Sequence, residues 1–406
     1  MPEPSLAESL AALDPANPKY ATEAVDRILA ESRRVGASDV HLQPVHDGLE
    51  MRWRLDGVLN RVAKLPARVV PNIIARLKVL ADLLTYRTDV PQEGRIRLPV
   101  DAVEMRLCTF PTLHGEKAVI RLFGGPTRFS RVADLGWPED IRANLLSLLD
   151  ATSGAIVFSG RAGTGKTTAI YASLRELVAR SRGERGIATL EDPIEGALDG
   201  VAQTQVNPTV GLTLETGLRS LLRQDPEVIA IGEIRDRSTA EVAIQASLTG
   251  HLILTSFHTG SACEVIGRLI DMEIEPYMIR SGLIAVVAQR LVRRLCTCSE
   301  ESDRPEDRLG LFPGGVRIPV GCERCRQTGY IGRTVLAEML LPEEENLARA
   351  VLDRRDVRVL ESLAVDAGMM TLWMRARQLV ADGITSPVEV VRVLGTRPEI
   401  GRCKNS

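Results

Sequence analysis

Residues 160–167 read Gly-Arg-Ala-Gly-Thr-Gly-Lys-Thr, and no other stretch of the chain restricts its fold so tightly. The apolar run Ala155-Ile156-Val157-Phe158 precedes it, and a helical pattern through Ile170, Leu174 and Leu177 follows. Strand, glycine-rich turn and helix in that order make a phosphate-binding loop. The glycines let backbone N–H groups curl around phosphate oxygens, and the helix N-terminus adds positive potential. Lys166 is placed to reach the β- and γ-phosphates of ATP, and the Thr167 hydroxyl to ligate Mg2+. Gly160, Arg161, Ala162, Gly163, Thr164, Gly165 and Thr168 complete the expected nucleotide-binding set.

Phosphoryl transfer also requires a residue that orients water and an anchor for the metal. Two acidic clusters follow apolar strands further along. One is Ile187-Ala-Thr-Leu-Glu191-Asp192-Pro193-Ile194-Glu195, the other Val228-Ile-Ala-Ile-Gly232-Glu233-Ile234-Arg235-Asp236. Most phosphate-loop enzymes would place Asp at position 232, whereas Gly stands here and leaves Glu233 as the acid. Either cluster alone fits a solvated turn as well as a site. Two of them downstream of the loop point to function, because active sites lie at the carboxyl ends of strands in such sheets. His258 closes the apolar strand His251-Leu-Ile-Leu-Thr-Ser-Phe and is placed either to polarise the γ-phosphate or to serve structure.

Cys296-Thr-Cys298 and Cys322-Glu-Arg-Cys325 form a second constellation. Paired Cys-x-x-Cys motifs at this distance would signal structural zinc, since each turn presents two thiolates to one tetrahedral ion. The first pair is one residue short, so Zn2+ and reduced packing cysteines both remain readings. Cys108, Cys263 and Cys403 stand apart from this group. A formal charge of −2 and only 3% aromatic residues disfavour a nucleic-acid partner. No apolar run approaches the ~18 residues needed to span a bilayer, and the start MPEPSLAESLAALD lacks the pattern of a secretion signal. A cytoplasmic protein with reduced cysteines is expected.

At 406 residues the chain exceeds one ordinary core. Residues 1–20 are expected to be a flexible start and 21–125 an α+β domain. That domain has helices over 21–34 and about 70–84 and strands near 51–59, 95–98, 103–109 and 117–123. Asp56-Gly57 marks a hairpin. The Gly- and Pro-rich stretch within 126–140 reads as a linker. Residues 141–406 read as an α/β domain with strands and helices alternating. It carries the cysteine insertion at 296–334 and a helical region at 343–396.

With these motifs in hand, the chain resembles the secretion and pilus assembly ATPases of type II secretion and type IV pili over about residues 21–396. Ser38-Asp39-Val40-His41-Leu42-Gln43-Pro44 is similar to the opening of that family's second N-terminal domain, with Gln43 where Glu is usual. Pro91-Gln-Glu-Gly-Arg95 and Pro111-Thr-Leu-His-Gly-Glu-Lys117 match later parts of it. LEDPIE resembles the family's Asp box, LRQDPEVIAIGEIRD its atypical Walker B and TGHLILTSFHT its His box. Gly329-Tyr-Ile-Gly-Arg333 closes a tetracysteine insertion, and Gly368-Met-Met-Thr-Leu372 matches the C-terminal helical region.

The resemblance implies a RecA-like P-loop domain with a smaller PAS-like N-terminal domain. It implies Glu195 as the catalytic glutamate, Glu233 as an aid in holding magnesium and His258 as a reader of the γ-phosphate. Arg95, Arg106 and Arg121 would reach the nucleotide, some from a neighbouring subunit of a homo-hexamer. The motor would meet an inner-membrane platform protein and associate with the membrane peripherally, through partners. Family members often carry a further N-terminal docking domain, whereas about 20 residues precede the shared region here. A retraction or conjugative-export motor is disfavoured by the tetracysteine insertion and the GMMTL segment. A non-hydrolysing scaffold is disfavoured by intact Lys166, Thr167, Glu195 and Glu233.

Overall fold

The computed structural model describes residues 6–97, 104–122 and 129–396. Leu98, Cys403 and residues 126–128 of the expected linker lie outside these. The chain divides into two compact units, Met1–Thr127 and Arg128–Ser406.

The first unit contains helices α1 (Leu6–Ala11) and α2 (Tyr20–Arg34), strands β1 (Asp39–Val45), β2 (Gly48–Leu55) and β3 (Val58–Pro66), and helix α3 (Val70–Leu80). Strands β4 (Gln92–Arg97), β5 (Glu104–Thr112) and β6 (Gly115–Leu122) follow. The strands form one antiparallel sheet in the order β3-β2-β1-β6-β5-β4. Alternation sends Val40, Leu42, Met51, Ile96, Met105, Leu107 and Ile120 into a core shared with Ile28, Leu29, Ile73 and Leu77 of the helices. Burying each such side chain contributes about 1.5–3 kcal/mol. The opposite face carries the polar alternates.

The Asp56-Gly57 hairpin forms, with both residues at positive φ and Leu55 paired to Val58. Two features differ from the sequence expectation. Within 1–20, Leu6 and Leu10 of α1 are buried in the core, with Leu13 packed against it. Their i, i+4, i+7 spacing makes an apolar stripe. Helix α3 stops at Leu80 instead of running to 84: Leu83 N donates back to Lys78 O at 2.8 Å, across Asp82 at φ 56°. Lys78 itself is fully buried. Its Nζ sits 2.5 Å from Glu116 Oε1 and donates to Arg87 O at 2.7 Å.

The second unit opens with α4 (Glu139–Leu148), β7 (Gly154–Ser159), α5 (Lys166–Ser181), β8 (Ile187–Glu191) and β9 (Ala202–Gln205). Next come α6 (Leu214–Leu221), β10 (Val228–Ile231), α7 (Arg237–Leu248) and β11 (Leu252–Phe257). Then follow α8 (Ala262–Asp271), α9 (Pro276–Gly282), β12 (Leu283–Leu295), β13 (Glu300–Ser302), β14 (Val316–Ile318) and β15 (Tyr330–Leu340). Helices α10 (Glu345–Leu352), α11 (Val357–Asp366), α12 (Leu372–Ala381) and α13 (Pro387–Leu394) complete it.

Seven strands order as β15-β12-β7-β11-β10-β8-β9, parallel except for the antiparallel edge strand β15. The continuous apolar runs of β7, β8, β10 and β11 follow from burial on both faces. Ile156, Phe158, Ala230 and Leu254 pack toward α4 and α5. Val157, Ile229, Ile231 and Ile253 pack toward α7, α8 and α9. Among the described residues, no helix is long and apolar enough to cross a membrane.

Candidate nucleotide site

Four adjacent parallel strands deliver the expected chemistry at their carboxyl ends. The loop 160–167 follows β7, the 191–195 turn follows β8, Glu233 lies two residues beyond β10 and His258 directly follows β11. Close packing shapes the loop. A side chain at Gly160 would meet Gln289 O at 2.7 Å, and Gly165, at φ 92°, turns the chain into α5. Gln289 Nε2 donates to Thr164 O at 2.8 Å, so β12 braces the loop from behind. Arg161, Ala162 and Gly163 are exposed at its rim.

Two chains of contacts join the predicted residues. Lys166 Nζ donates to Gly160 O at 2.8 Å and Arg161 O at 3.2 Å, and lies 3.4 Å from His258 Nδ1. His258 Nε2 lies 2.6 Å from Glu233 Oε2, while Arg235 pairs with the other oxygen of Glu233. Separately, Thr167 Oγ1 donates to Glu195 Oε1 at 3.2 Å. Burial pushes the Lys166 ammonium down to about 8, against the opposing pull of Glu233.

The two glutamates of the first cluster occupy different environments. Glu191 is buried and accepts from Tyr171 OH at 2.5 Å, Thr189 Oγ1 at 2.6 Å and Gln203 Nε2 at 3.0 Å. Tyr171 OH in turn accepts from the Glu195 backbone N–H at 3.2 Å. Glu191 is therefore an internal anchor, and Glu195 is the exposed carboxylate that it positions through Tyr171. Burial, and then the hydrogen bond to Glu191, raise the Tyr171 hydroxyl far above its ordinary value. Sequence reading passed over Tyr171. Its place one turn after Thr167, on the same helix, is the signal that could have found it.

The arginines of the first unit line up. Arg95 stands opposite Arg106, Arg106 opposite Arg121, Arg121 opposite Asp39 and Asp39 opposite Arg54, one row across five strands. The row lies on the face opposite the core. Asp39 serves two guanidiniums, accepting from Arg121 Nε at 2.9 Å and lying 3.2 Å from Arg54 Nε; Arg106 pairs with Glu93. Arg54 was not visible as a member of the row from sequence, because membership depends on register.

The four cysteines of the insertion converge despite the short first pair. Their Sγ atoms all lie within 4.8 Å of one another, with Cys296 to Cys322 and Cys298 to Cys325 both at 3.8 Å. Four thiolates about 2.3 Å from one tetrahedral zinc would stand about 3.8 Å apart, so the donor set fits Zn2+. Backbone N–H groups of Cys322 and Gly329 donate to Cys325 Sγ at 3.0 and 3.2 Å. The insertion is the long connection of the β12–β15 antiparallel pair. Cys108 and Cys263 are free and separate from it.

Residues 16–392 match the family described as Type II/IV secretion system protein. The chain belongs to that family. It is 39% identical over 376 residues to type II secretion system protein E of Klebsiella pneumoniae, covering 91% of this chain and 75% of the relative. It is also 39% identical over 378 residues to type II secretion system ATPase E of Vibrio cholerae serotype O1, covering 91% and 74%. Among solved structures, the ATPase DotB of Legionella pneumophila superposes with a TM-score of 0.66 at 21% identity, covering 90% of this chain and 93% of that one. This likeness shows a shared fold, the RecA-like architecture that the resemblance implies.

Proposed function

We propose that this chain is a motor that hydrolyses ATP at the 160–167 loop and powers assembly of a type II secretion pseudopilus or type IV pilus. Membership of the family and the name of the ATPase relative support the activity. The observation that carries the site is the pairing of Thr167 with Glu195, next to the linked series Lys166, His258 and Glu233.

Each residue then has a role. Lys166 neutralises phosphate charge, exchanging its bonds to loop carbonyls for phosphate oxygens. Glu195, held by Tyr171 and Glu191, accepts a proton from the attacking water as it orients it. His258 reads the γ-phosphate end through its position between Lys166 and Glu233. Thr167 and Glu233 offer the hard oxygen donors that suit Mg2+. Bound magnesium would neutralise charge on the transferring phosphoryl group. Arg95, Arg106 and Arg121 supply further positive charge, some of it across a subunit boundary in a homo-hexamer. Arg106 and Arg121 are held by Glu93 and Asp39, contacts that they would share with or exchange for phosphate oxygens. Cys296, Cys298, Cys322 and Cys325 would hold structural Zn2+. The motor works at the cytoplasmic face of the inner membrane, on a platform protein, without nucleic acid.

Paired variants test this reading. Lys166→Ala should weaken nucleotide binding and turnover together. Glu195→Gln should keep binding but lose hydrolysis by about a hundredfold or more, since the amide cannot accept the proton. Turnover near wild type in Glu195→Gln, measured as phosphate release with Mg2+, would refute the assignment.

A further inference from the structure

Beside the nucleotide site, two buried and oppositely charged residues grip one short segment. Residues 259–261 link His258 to α8. Arg290 of β12 is only 4% exposed; its Nη2 donates to Gly260 O at 2.6 Å and Thr259 O at 3.2 Å. Glu338 of β15 is 2% exposed; its Oε1 accepts from the N–H of Ala262, the first residue of α8, at 2.7 Å. Thr259 Oγ1 also shares a 2.5 Å hydrogen bond with Ser159 Oγ, next to the phosphate loop. The segment after His258 is thus held at two carbonyls, one hydroxyl and one amide.

The second oxygen of Glu338 reaches elsewhere. Oε2 accepts from the N–H of Leu372, the first residue of α12, at 2.8 Å. One carboxylate therefore joins the N-termini of two helices, where a negative charge is favoured. The start of α12 packs on the cysteine insertion: Leu372 shares a core with Phe312 and Val316, and the Trp373 and Phe312 rings lie 6.3 Å apart.

We propose that Arg290 and Glu338 are positioning residues for His258, and that Glu338 couples the nucleotide site to α12 and the cysteine insertion behind it. This rests on the reading of the loop as an ATP-hydrolysing site. A glutamate suits the task better than any neutral residue of its size. Each oxygen takes one amide, whereas a glutamine offers one oxygen and turns an N–H donor toward the other amide. Burial pushes the Glu338 carboxyl up to about 6, with Glu361 adding to the rise and the two amides and Arg290 opposing it. It remains mostly ionised at neutral pH. A displacement of about 1 Å at a site of this kind can cost about a hundredfold in turnover.

The test combines kinetics with hydrogen exchange on the full chain. In the wild type, Mg2+-ADP should slow amide exchange in peptides spanning 258–266 and also 368–378. Glu338→Gln should lower kcat about tenfold or more while the ADP dissociation constant stays within about twofold, and should abolish the nucleotide response of 368–378 only. A purely structural role would lower the melting temperature without that split. Should Glu338→Gln fail to fold, Arg290→Lys serves: it keeps the charge, loses the planar guanidinium whose Nη2 donates to the two carbonyls while Nη1 holds Gln289 O, and should show the same loss of kcat. Exchange in 368–378 that ignores ADP in the wild type overturns the coupling. Wild-type kcat in a folded variant overturns the positioning role. Absence of hydrolysis by the wild type would instead strike the ATPase reading, which keeps the two failures distinct.

Discussion

In the six-stranded antiparallel sheet the charged groups assigned to function lie on a strand face, in a row running across the strands. In the seven-stranded sheet they lie beyond the strand ends, on the turns leading to the next helix. The difference follows from strand direction. Successive residues of a strand alternate faces, so in the antiparallel sheet one face can be polar while the other fills the core, and register decides which residues stand side by side. The central strands of a parallel sheet are buried on both faces, so the groups that meet a ligand stand past their carboxyl ends. Arg95, Arg106 and Arg121 are thus aligned by hydrogen-bond register. Lys166, Glu195, Glu233 and His258 are aligned by topology.

The largest test of this contrast removes the row. Arg95→Ala/Arg106→Ala protein should lose about a thousandfold in turnover if the row meets the phosphoryl group. Mixed with Lys166→Ala protein, after subunit exchange has been shown by fluorescence transfer, it should regain activity, because some interfaces would pair an intact loop with intact arginines. No gain on mixing would confine the arginines to their own chain or remove them from the chemistry.

A smaller effect probes the strand-end site through pH. Burial holds the free Lys166 at about 8, so the amine becomes neutral as pH rises through that value, whereas bound phosphate favours the ammonium. Nucleotide affinity should be flat below pH 8 and fall by up to about tenfold per pH unit above it. Binding at pH 9 should take up protons, visible by calorimetry in buffers of different ionisation enthalpy. Lys166→Arg, charged throughout, should lose the slope; a slope that persists would assign it to another group.

The smallest expected effect on nucleotide binding comes from the cysteines, which belong to neither arrangement. Freshly purified, reduced protein should hold about one zinc per chain. Chelation should speed exchange across 296–329 while nucleotide affinity changes by less than about twofold. Elemental analysis finding no zinc would return these four residues to packing.

Much of the strand-end site was legible because it depends on local order. Each of its residues follows an apolar run in sequence, and parallel strands bring such positions together whatever the details of packing. The tetracysteine cluster was only half legible. Cys296-Thr-Cys298 is one residue short of the usual pair, yet the four sulfurs converge, because the β12–β15 pairing brings the two turns together from opposite ends of the insertion. The start of the chain was misjudged for a related reason. Leu6 and Leu10 sit among prolines and acids that suggest a loose segment, and only the presence of α2 and β3, on which α1 packs, makes their burial worthwhile.

By itself the sequence determined the phosphate loop, the order of strand and helix behind it, and which acids and histidine stand at strand ends. These are properties of neighbours along the chain, set by periodicity and by glycine's backbone freedom. Tertiary structure alone decided that Glu191 is an internal anchor while Glu195 faces outward. It also decided that Arg54 joins the arginine row, and that Lys78, Arg290 and Glu338 are buried charges with fixed partners. The reason is physical. A charged residue can leave water only where several hydrogen-bonding groups meet it, and such groups come from segments far apart in the chain. Glu338 shows this plainly: its two amide donors lie 76 and 34 residues away in opposite directions.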